Sequence, residues 1–275
     1  NDGTSHGISF DEEAYALGLH GSDEWETTET RFGYESPTTP GQVFDYDMAS
    51  QARTLIKTQE VPSGHSIDDY VVHRIMAPSH DGVHVPVTVM HHRDTPLDGT
   101  APLYLYGYGS YGMSMPASFS IKRLSLADRG MITATAHVRG GADMGYGWYL
   151  DGKMEKKTNT FIDFIAARDA LVDRGWVDGT RVGAEGGSAG GMLMGAIANM
   201  APEKFASIIG AVPFVDVLAT MLDETLPLTP PEWPEWGNPL ADKEAYERLA
   251  SYSPIDRVEA KAYPAILATG GLTDP

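Results

Sequence analysis

The segment Gly186–Gly190, with the sequence GGSAG, constrains the fold of this chain more than any other stretch. It places Ser188 between glycines in the pattern G-x-S-x-G. The residues before it, Val182–Ala184, have the character of a buried strand, and Met192–Met200 have that of a helix. We therefore predict a strand that turns sharply at the serine into a helix. Glycine is expected at the flanking positions because side chains there would collide with the neighbouring strand and helix.

A turn of this kind is the setting of the nucleophilic serine in α/β-hydrolases. It lifts the Ser188 hydroxyl out of the sheet and aims the backbone N–H of Ala189, at the start of the helix, at the oxyanion formed during attack. The alternative is a glycine-rich turn with an uninvolved serine, because G-x-S-x-G is common by chance. A nucleophilic serine also needs an orienting acid and a base. Asp274 fits the acid, since it lies in the turn after the apolar segment AILATGG.

The base has no candidate at the expected place. All nine histidines precede Ser188, whereas this fold class orders its triad as serine, acid and then histidine. Either the fold departs from this order or the chain is cut, and an end one residue after Asp274 favours the cut, with the histidine in the missing part. This chemistry requires no metal and no cofactor, so neither is predicted.

The pattern of apolar and polar residues differs between residues 1–65 and residues 66–275. From residue 66 onward, apolar segments such as VHVPVTVMHH and PLYLYGYGS alternate with helical ones, which favours an α/β domain with a mostly parallel sheet. The clearest helices are expected at about Asn159–Arg174 and Ala241–Tyr252. Residues 1–65 contain short strand-like pieces and turn clusters such as ESPTTPG, which indicate part of an all-β module and a linker.

Composition excludes several classes of partner. The chain of 275 residues has a formal net charge of −18, which repels nucleic acid and anionic lipid. No run approaches the ~18 apolar residues of a membrane span. There is no cysteine, which excludes disulfides and thiolate chemistry and fits a reducing compartment. We predict a cytoplasmic protein with no nucleic-acid or membrane partner.

Six motifs in a fixed order carry a resemblance to a known family: YGYGSYG, HVRGGADMGYGWY, DGKMEKKTNTFIDF, GGSAGGMLMG, VPFVDV and EWGNP. Together they resemble the prolyl oligopeptidase family of serine peptidases, and within it the oligopeptidase B enzymes. The resemblance runs from about Tyr15 to the end. It implies an α/β-hydrolase fold, C-terminally truncated, preceded by the remnant of a β-propeller blade. Residues 1–65 would be the end of the propeller with a linker, and residues 66–275 an incomplete catalytic domain.

The resemblance also implies roles for single residues. Ser188 matches the nucleophile and Asp274 the acid of the triad. Tyr108, in YGYG, matches a tyrosine whose hydroxyl joins the Ala189 N–H in the oxyanion hole. A phenol suits this task because it donates to an oxyanion without carrying charge. The alternative for Tyr108 is aromatic packing in the core.

The oligopeptidase B enzymes cleave after basic residues, and carboxylates supply this preference because they bind guanidinium bidentately. The segment Thr229–Pro239, TPPEWPEWGNP, matches their S1 loop. Glu232 aligns with one S1 glutamate, and the second falls on Pro234, with Glu235 adjacent. Trp233 is a further candidate, since it could stack on a substrate side chain, although packing is an equal alternative.

The acidic pair that selects the P2 residue in those enzymes falls on Pro116 and Ser118, so no P2 preference is predicted. The preferred function is a serine endopeptidase that hydrolyses short peptides after Arg or Lys through an acyl-enzyme. Two alternatives stay open. One is an esterase or acylaminoacyl-peptidase on the same fold, and the other is an inert fragment that lacks the triad histidine.

Overall fold

The computed structural model describes residues 5–21 and 24–272. Its strands form two sheets, one of four antiparallel strands and one of seven strands. A single 3-10 turn, Ile67–Asp69, lies between the two sheets along the chain. None of the helices in these residues has the length and apolar character needed to cross a membrane.

The first sheet follows the chain in order. Its strands are β1 (Ala16–His20), β2 (Glu29–Glu35), β3 (Gln42–Asp47) and β4 (Arg53–Thr58). A small aromatic cluster of Phe32, Tyr34 and Tyr46 forms its buried side, whereas β4 is exposed along its whole length. The strand-like pieces expected in this region are present, and β2 is an addition that the sequence did not single out.

The second sheet has the strand order β11-β10-β9-β7-β8-β6-β5. Its strands are β5 (Tyr70–Pro78), β6 (His84–His92), β7 (Ala101–Tyr106), β8 (Ile132–Ala136), β9 (Val177–Gly187), β10 (Ser207–Ala211) and β11 (Ala265–Thr269). Five neighbouring strands, β8, β7, β9, β10 and β11, run parallel to one another. Strands β5 and β6 are antiparallel additions at one edge. The expectation of a mostly parallel α/β sheet is therefore confirmed.

Seven α-helices are present in the described residues: α1 (Ile121–Ala127), α2 (Tyr146–Leu150), α3 (Thr158–Asp173), α4 (Ala189–Met200), α5 (Val217–Leu222), α6 (Thr229–Trp236) and α7 (Lys243–Tyr252). The helix expected at Asn159–Arg174 is α3, whose Phe161, Phe164 and Leu171 are fully buried against the sheet. Helix α4 contacts β9 and β10, so α3 and α4 cover the strands that lead to the serine turn.

Helix α6 is the main departure from the expected secondary structure. The segment TPPEWPEW, expected to be a loop, forms a short helix in spite of Pro234 within it. Two further prolines occupy its first turn, where the missing N–H has no helical partner to lose. As a result, Glu232 and Glu235 lie three residues apart on one helix.

Candidate active site

The serine turn has the strained geometry that its sequence predicts. Strand β9 ends at Gly187, α4 begins at Ala189, and Ser188 between them has φ 54° and ψ −120°. A non-glycine residue in such a conformation costs on the order of 1–3 kcal/mol, so its surroundings must hold it there. The Ser188 N–H donates to the Ala211 carbonyl at 2.9 Å, and its carbonyl accepts from the Phe214 N–H at 3.1 Å. Strand β10 and the loop after it therefore fix the turn.

Glycine is required on both sides of the turn by close backbone contact. A Cβ atom on Gly186 would lie 2.3 Å from the Gly190 carbonyl oxygen. A Cβ atom on Gly190 would lie 2.9 Å from the Gly107 carbonyl oxygen and 3.2 Å from the Tyr108 ring. The predicted collisions are confirmed, and the same contacts seat the turn against the loop that carries Tyr108.

Three elements bring candidate catalytic groups together. Ser188 is exposed at the turn, and Tyr108, from the loop after β7, lies near it. Burial raises the pKa of Tyr108 above its ordinary value, so the phenol keeps its proton and can donate. The Ala189 N–H stands at the first turn of α4, and no carbonyl in the described residues accepts from it. Two donors thus converge beside one hydroxyl.

The predicted acid cannot be placed. Asp274 lies outside the described residues, and its role stays a prediction. All nine histidines are described, and none of them lines the cavity that contains Ser188. His137 is buried and pairs with Asp143, with 2.9 Å between Nδ1 and Oδ1. Its Nε2 atom lies 2.8 Å from the Thr88 hydroxyl and forms a hydrogen bond with it.

One cavity of about 480 Å³ opens beside the serine and is lined by Ser188, Tyr111, Phe214 and Glu232, among others. The carboxylate of Glu232 is held at one oxygen. Its Oε2 accepts from the Tyr111 hydroxyl at 3.0 Å and from Trp236 Nε1 at 2.7 Å. In the described part of the chain, no donor bonds to its Oε1.

The other two predicted substrate contacts lie elsewhere. Glu235 is buried and lines no part of this cavity. Its oxygens accept from the Tyr111 N–H at 3.0 Å and from the Tyr149 hydroxyl at 2.7 Å, so it joins the loop of Tyr111 to helix α2. Trp233 donates to the Met221 carbonyl at 3.2 Å and packs against the core. The structure thus brings Glu232 alone of the three to the cavity of Ser188.

Tyr111 is a site residue to which sequence reasoning assigned no role. It lines the cavity, donates to Glu232, and has a left-handed backbone with φ 60°. The signal in the sequence was its place as the last tyrosine in YGYGSYG, for which the interpretation was aromatic packing in the core.

Pro116 and Ser118 do not belong to the serine cavity. They line a larger cavity of about 970 Å³, formed with residues of the first sheet such as Glu35 and Lys57. Ser188 is not part of its lining. The positions matched to the P2 site therefore face the first sheet.

Comparison with known proteins places this geometry in a family. The sequence model described as the Prolyl oligopeptidase family matches residues 117–275. Dipeptidyl aminopeptidase BI of Pseudoxanthomonas mexicana is 48% identical over 99% of this chain and 38% of its own length. Protease 2 of Moraxella lacunata is 44% identical over 100% of this chain and 40% of its own length. The chain therefore spans about 40% of the length of these curated relatives.

Solved structures agree with the sequence matches. Oligopeptidase B from Leishmania major has a TM-score of 0.90 and 43% identity, covering 94% of this chain and 36% of that one. Oligopeptidase B from Trypanosoma brucei, in a closed form with covalently bound antipain, has a TM-score of 0.91 and 40% identity, covering 94% and 37%. The second sheet and its helices have the α/β-hydrolase fold, as expected. The family match over more than half of the chain, together with these structures, shows that the chain belongs to the prolyl oligopeptidase family.

Proposed function

We propose that the gene product containing this chain is a serine peptidase that hydrolyses short peptides after Arg or Lys. The observation that carries the proposal is the exposed Ser188 hydroxyl on a strained turn, next to two donors suited to an oxyanion. Family membership supports the same reaction class.

The proposed reaction is acyl transfer in two steps. Ser188 Oγ attacks the scissile carbonyl carbon, and its proton passes to a histidine supplied from outside these 275 residues, which Asp274 orients. The carbonyl oxygen becomes an oxyanion that accepts from the Tyr108 hydroxyl and the Ala189 N–H. The C–N bond breaks, the amine leaves with the proton, and water hydrolyses the resulting ester on Ser188.

The preference for a basic P1 residue rests on Glu232. Its Oε2 is held by Tyr111 and Trp236, and the residue lines the cavity next to Ser188. A carboxylate oriented in this way suits the guanidinium of Arg or the ammonium of Lys, since hydrogen bonds between opposite charges are about twice as strong as neutral ones.

We further infer the domain division from the two sheets. Residues 1–65 would close a β-propeller and lead into the catalytic domain, which residues 66–275 form in part. The antiparallel four-stranded sheet, followed by the α/β sheet, supports this division. A cytoplasmic location stays a prediction that rests on the absence of cysteine.

The nucleophile is tested with a fluorophosphonate probe on the complete gene product. Ser188→Ala should abolish labelling and lower kcat by about a million-fold, because the acyl-enzyme can no longer form. Ser251→Ala, an exposed serine on α7, is the matched control and should label normally. Labelling that persists in Ser188→Ala would rule out this proposal.

The substrate class is tested with arginyl, phenylalanyl and prolyl amides and with a simple p-nitrophenyl ester. Glu232→Gln should lower kcat/KM for the arginyl amide by about 10- to 100-fold and leave the phenylalanyl value nearly unchanged. Glu224→Gln, an exposed acid on the preceding loop, is the matched control. Equal rates on arginyl and phenylalanyl amides would contradict the P1 assignment, and activity confined to the ester would favour an esterase.

The name of the Pseudoxanthomonas relative, dipeptidyl aminopeptidase, favours a second candidate, the release of dipeptides from a free N-terminus. Peptides ending in an arginyl amide, with a free or a blocked N-terminus, separate the two. An endopeptidase cleaves both forms, whereas a dipeptidyl peptidase requires the free amine.

A further inference from the structure

A buried lysine stands behind the loop that carries Tyr108. Lys157, at the start of α3, is 1% exposed. Its Nζ atom donates to the Gly109 carbonyl at 2.6 Å and to the Ser110 hydroxyl at 2.8 Å, and it lies 4.9 Å from the centre of the Trp236 ring. No carboxylate of the described residues forms an ion pair with it. A buried ammonium without a paired carboxylate is costly, which argues for a task other than stability.

The two acceptors of Lys157 belong to one short loop. We call residues Gly107–Tyr111 the oxyanion loop, since they include Tyr108. Its glycines have no side chains with which to anchor it, and a Cβ atom on Gly109 would lie 2.4 Å from the Thr160 methyl group. The loop is therefore held from the α3 side by close packing and by the hydrogen bonds that the lysine donates.

Lys157 does not touch the serine cavity. It is absent from the lining of that cavity, and its hydrogen bonds go to the two residues that directly follow Tyr108 in the chain. These hydrogen bonds link Lys157 to the reaction through the position of the loop. Oxyanion donors are sensitive to such a shift, because a displacement of about 1 Å in an active site costs about 100-fold in rate.

We propose that Lys157 is a positioning residue that fixes the oxyanion loop so that the Tyr108 hydroxyl stays within hydrogen-bond reach of the oxyanion on the Ser188 adduct. This rests on the proposed function of Ser188 and Tyr108. The ammonium orders the loop by binding its carbonyl and hydroxyl oxygens, and the Trp236 ring offers a face that favours the cation.

The experiment is a double-mutant cycle in the complete gene product, with kcat and KM measured on an arginyl amide. Tyr108→Phe should lower kcat about 100-fold. Lys157→Met should lower kcat about tenfold in the wild-type background and less than about twofold in the Tyr108→Phe background, with KM nearly unchanged. Lys156→Met, an exposed neighbour with the same change of charge, should match the wild type in both backgrounds.

An equal loss in both backgrounds would overturn the proposal, since Lys157 would then act without Tyr108. A second variant, Ser110→Ala, keeps the lysine and removes one of its acceptors. It should show the same dependence on Tyr108 at about threefold, and it decides the matter if Lys157→Met does not fold by circular dichroism. Failure of the proposed function looks different, because the wild type itself would then neither label at Ser188 nor hydrolyse the amide.

Discussion

Arg139 and Lys157 are two buried cations that differ in their partners, which are carboxylates for Arg139 and uncharged groups for Lys157. The Arg139 guanidinium bonds to Asp163 at 2.7 Å and to Asp81 at 2.5 Å, whereas the Lys157 ammonium meets a carbonyl, a hydroxyl and an aromatic ring. Burial opposes the charge of Arg139, but hydrogen bonds to the two carboxylates outweigh it and raise its pKa above the ordinary value. Burial lowers the pKa of Lys157 to about 7, against a smaller opposing effect of Glu235.

The comparison shows that the partner, more than the depth of burial, decides what a buried charge does. Arg139 keeps its charge at every ordinary pH and ties the segment after β8 to α3. Lys157 has partners that belong to the candidate active site, and its protonation can change near neutral pH.

The largest expected effect is the loss of stability when Arg139, the cation paired with carboxylates, is replaced. Arg139→Met should reduce the free energy of unfolding by about 3–5 kcal/mol, because it leaves the fully buried Asp163 carboxylate without its counter-charge. Urea unfolding of the complete gene product measures this. Arg129→Met, an exposed arginine, is the control and should change little. A loss below about 1 kcal/mol for Arg139→Met would remove the distinction between the two cations.

The next effect is the pH dependence that Lys157 introduces. Its pKa is about 7 in the fold against an ordinary 10.5, so the unfolded chain binds more protons between these values. The free energy of unfolding should therefore rise with pH across this window, by about 2 kcal/mol from about pH 7 to about pH 9. In Lys157→Met this rise should be missing, which urea midpoints at the two pH values compare. If the urea midpoints of the wild type and the variant changed with pH by the same amount, Lys157 would not be an unpaired buried ammonium.

The smallest effect concerns Glu235, the charge that raises the pKa of Lys157. Glu235→Gln should lower that pKa and move the window of rising stability to lower pH by about one unit or less. The same series of urea midpoints detects the move. A control is Glu247→Gln, whose carboxylate pairs with Lys243 on the surface of α7 and should leave the window in place. A window that does not move would show that Glu235 is electrostatically remote from the lysine.

Features that depend on neighbours in the sequence were predicted well. The turn at Ser188 and helix α3 follow from glycine spacing and from apolar periodicity, both of which act over a few residues. Helix α6 was missed because three prolines in eight residues favour a loop locally, whereas buried Trp236 and Glu235 hold the segment in place.

Roles that depend on burial could not be predicted. Glu232 and Glu235 are the same residue type three positions apart, and only the packing of α6 places one at the cavity and the other beneath Tyr111 and Tyr149. Lys157 lies in DGKMEKKTNTF with two other lysines, and its sequence has no feature that distinguishes a buried ammonium from a solvated one.

The sequence by itself determined the strand, turn and helix around Ser188, because glycine at positions 186 and 190 permits the close backbone contacts of the turn, which side chains there would block. Only the tertiary structure decided which acids, tyrosines and lysines surround that serine. Those groups come from segments far apart in the chain, and their environment, which sets their charge and their hydrogen bonds, exists only after the segments pack together.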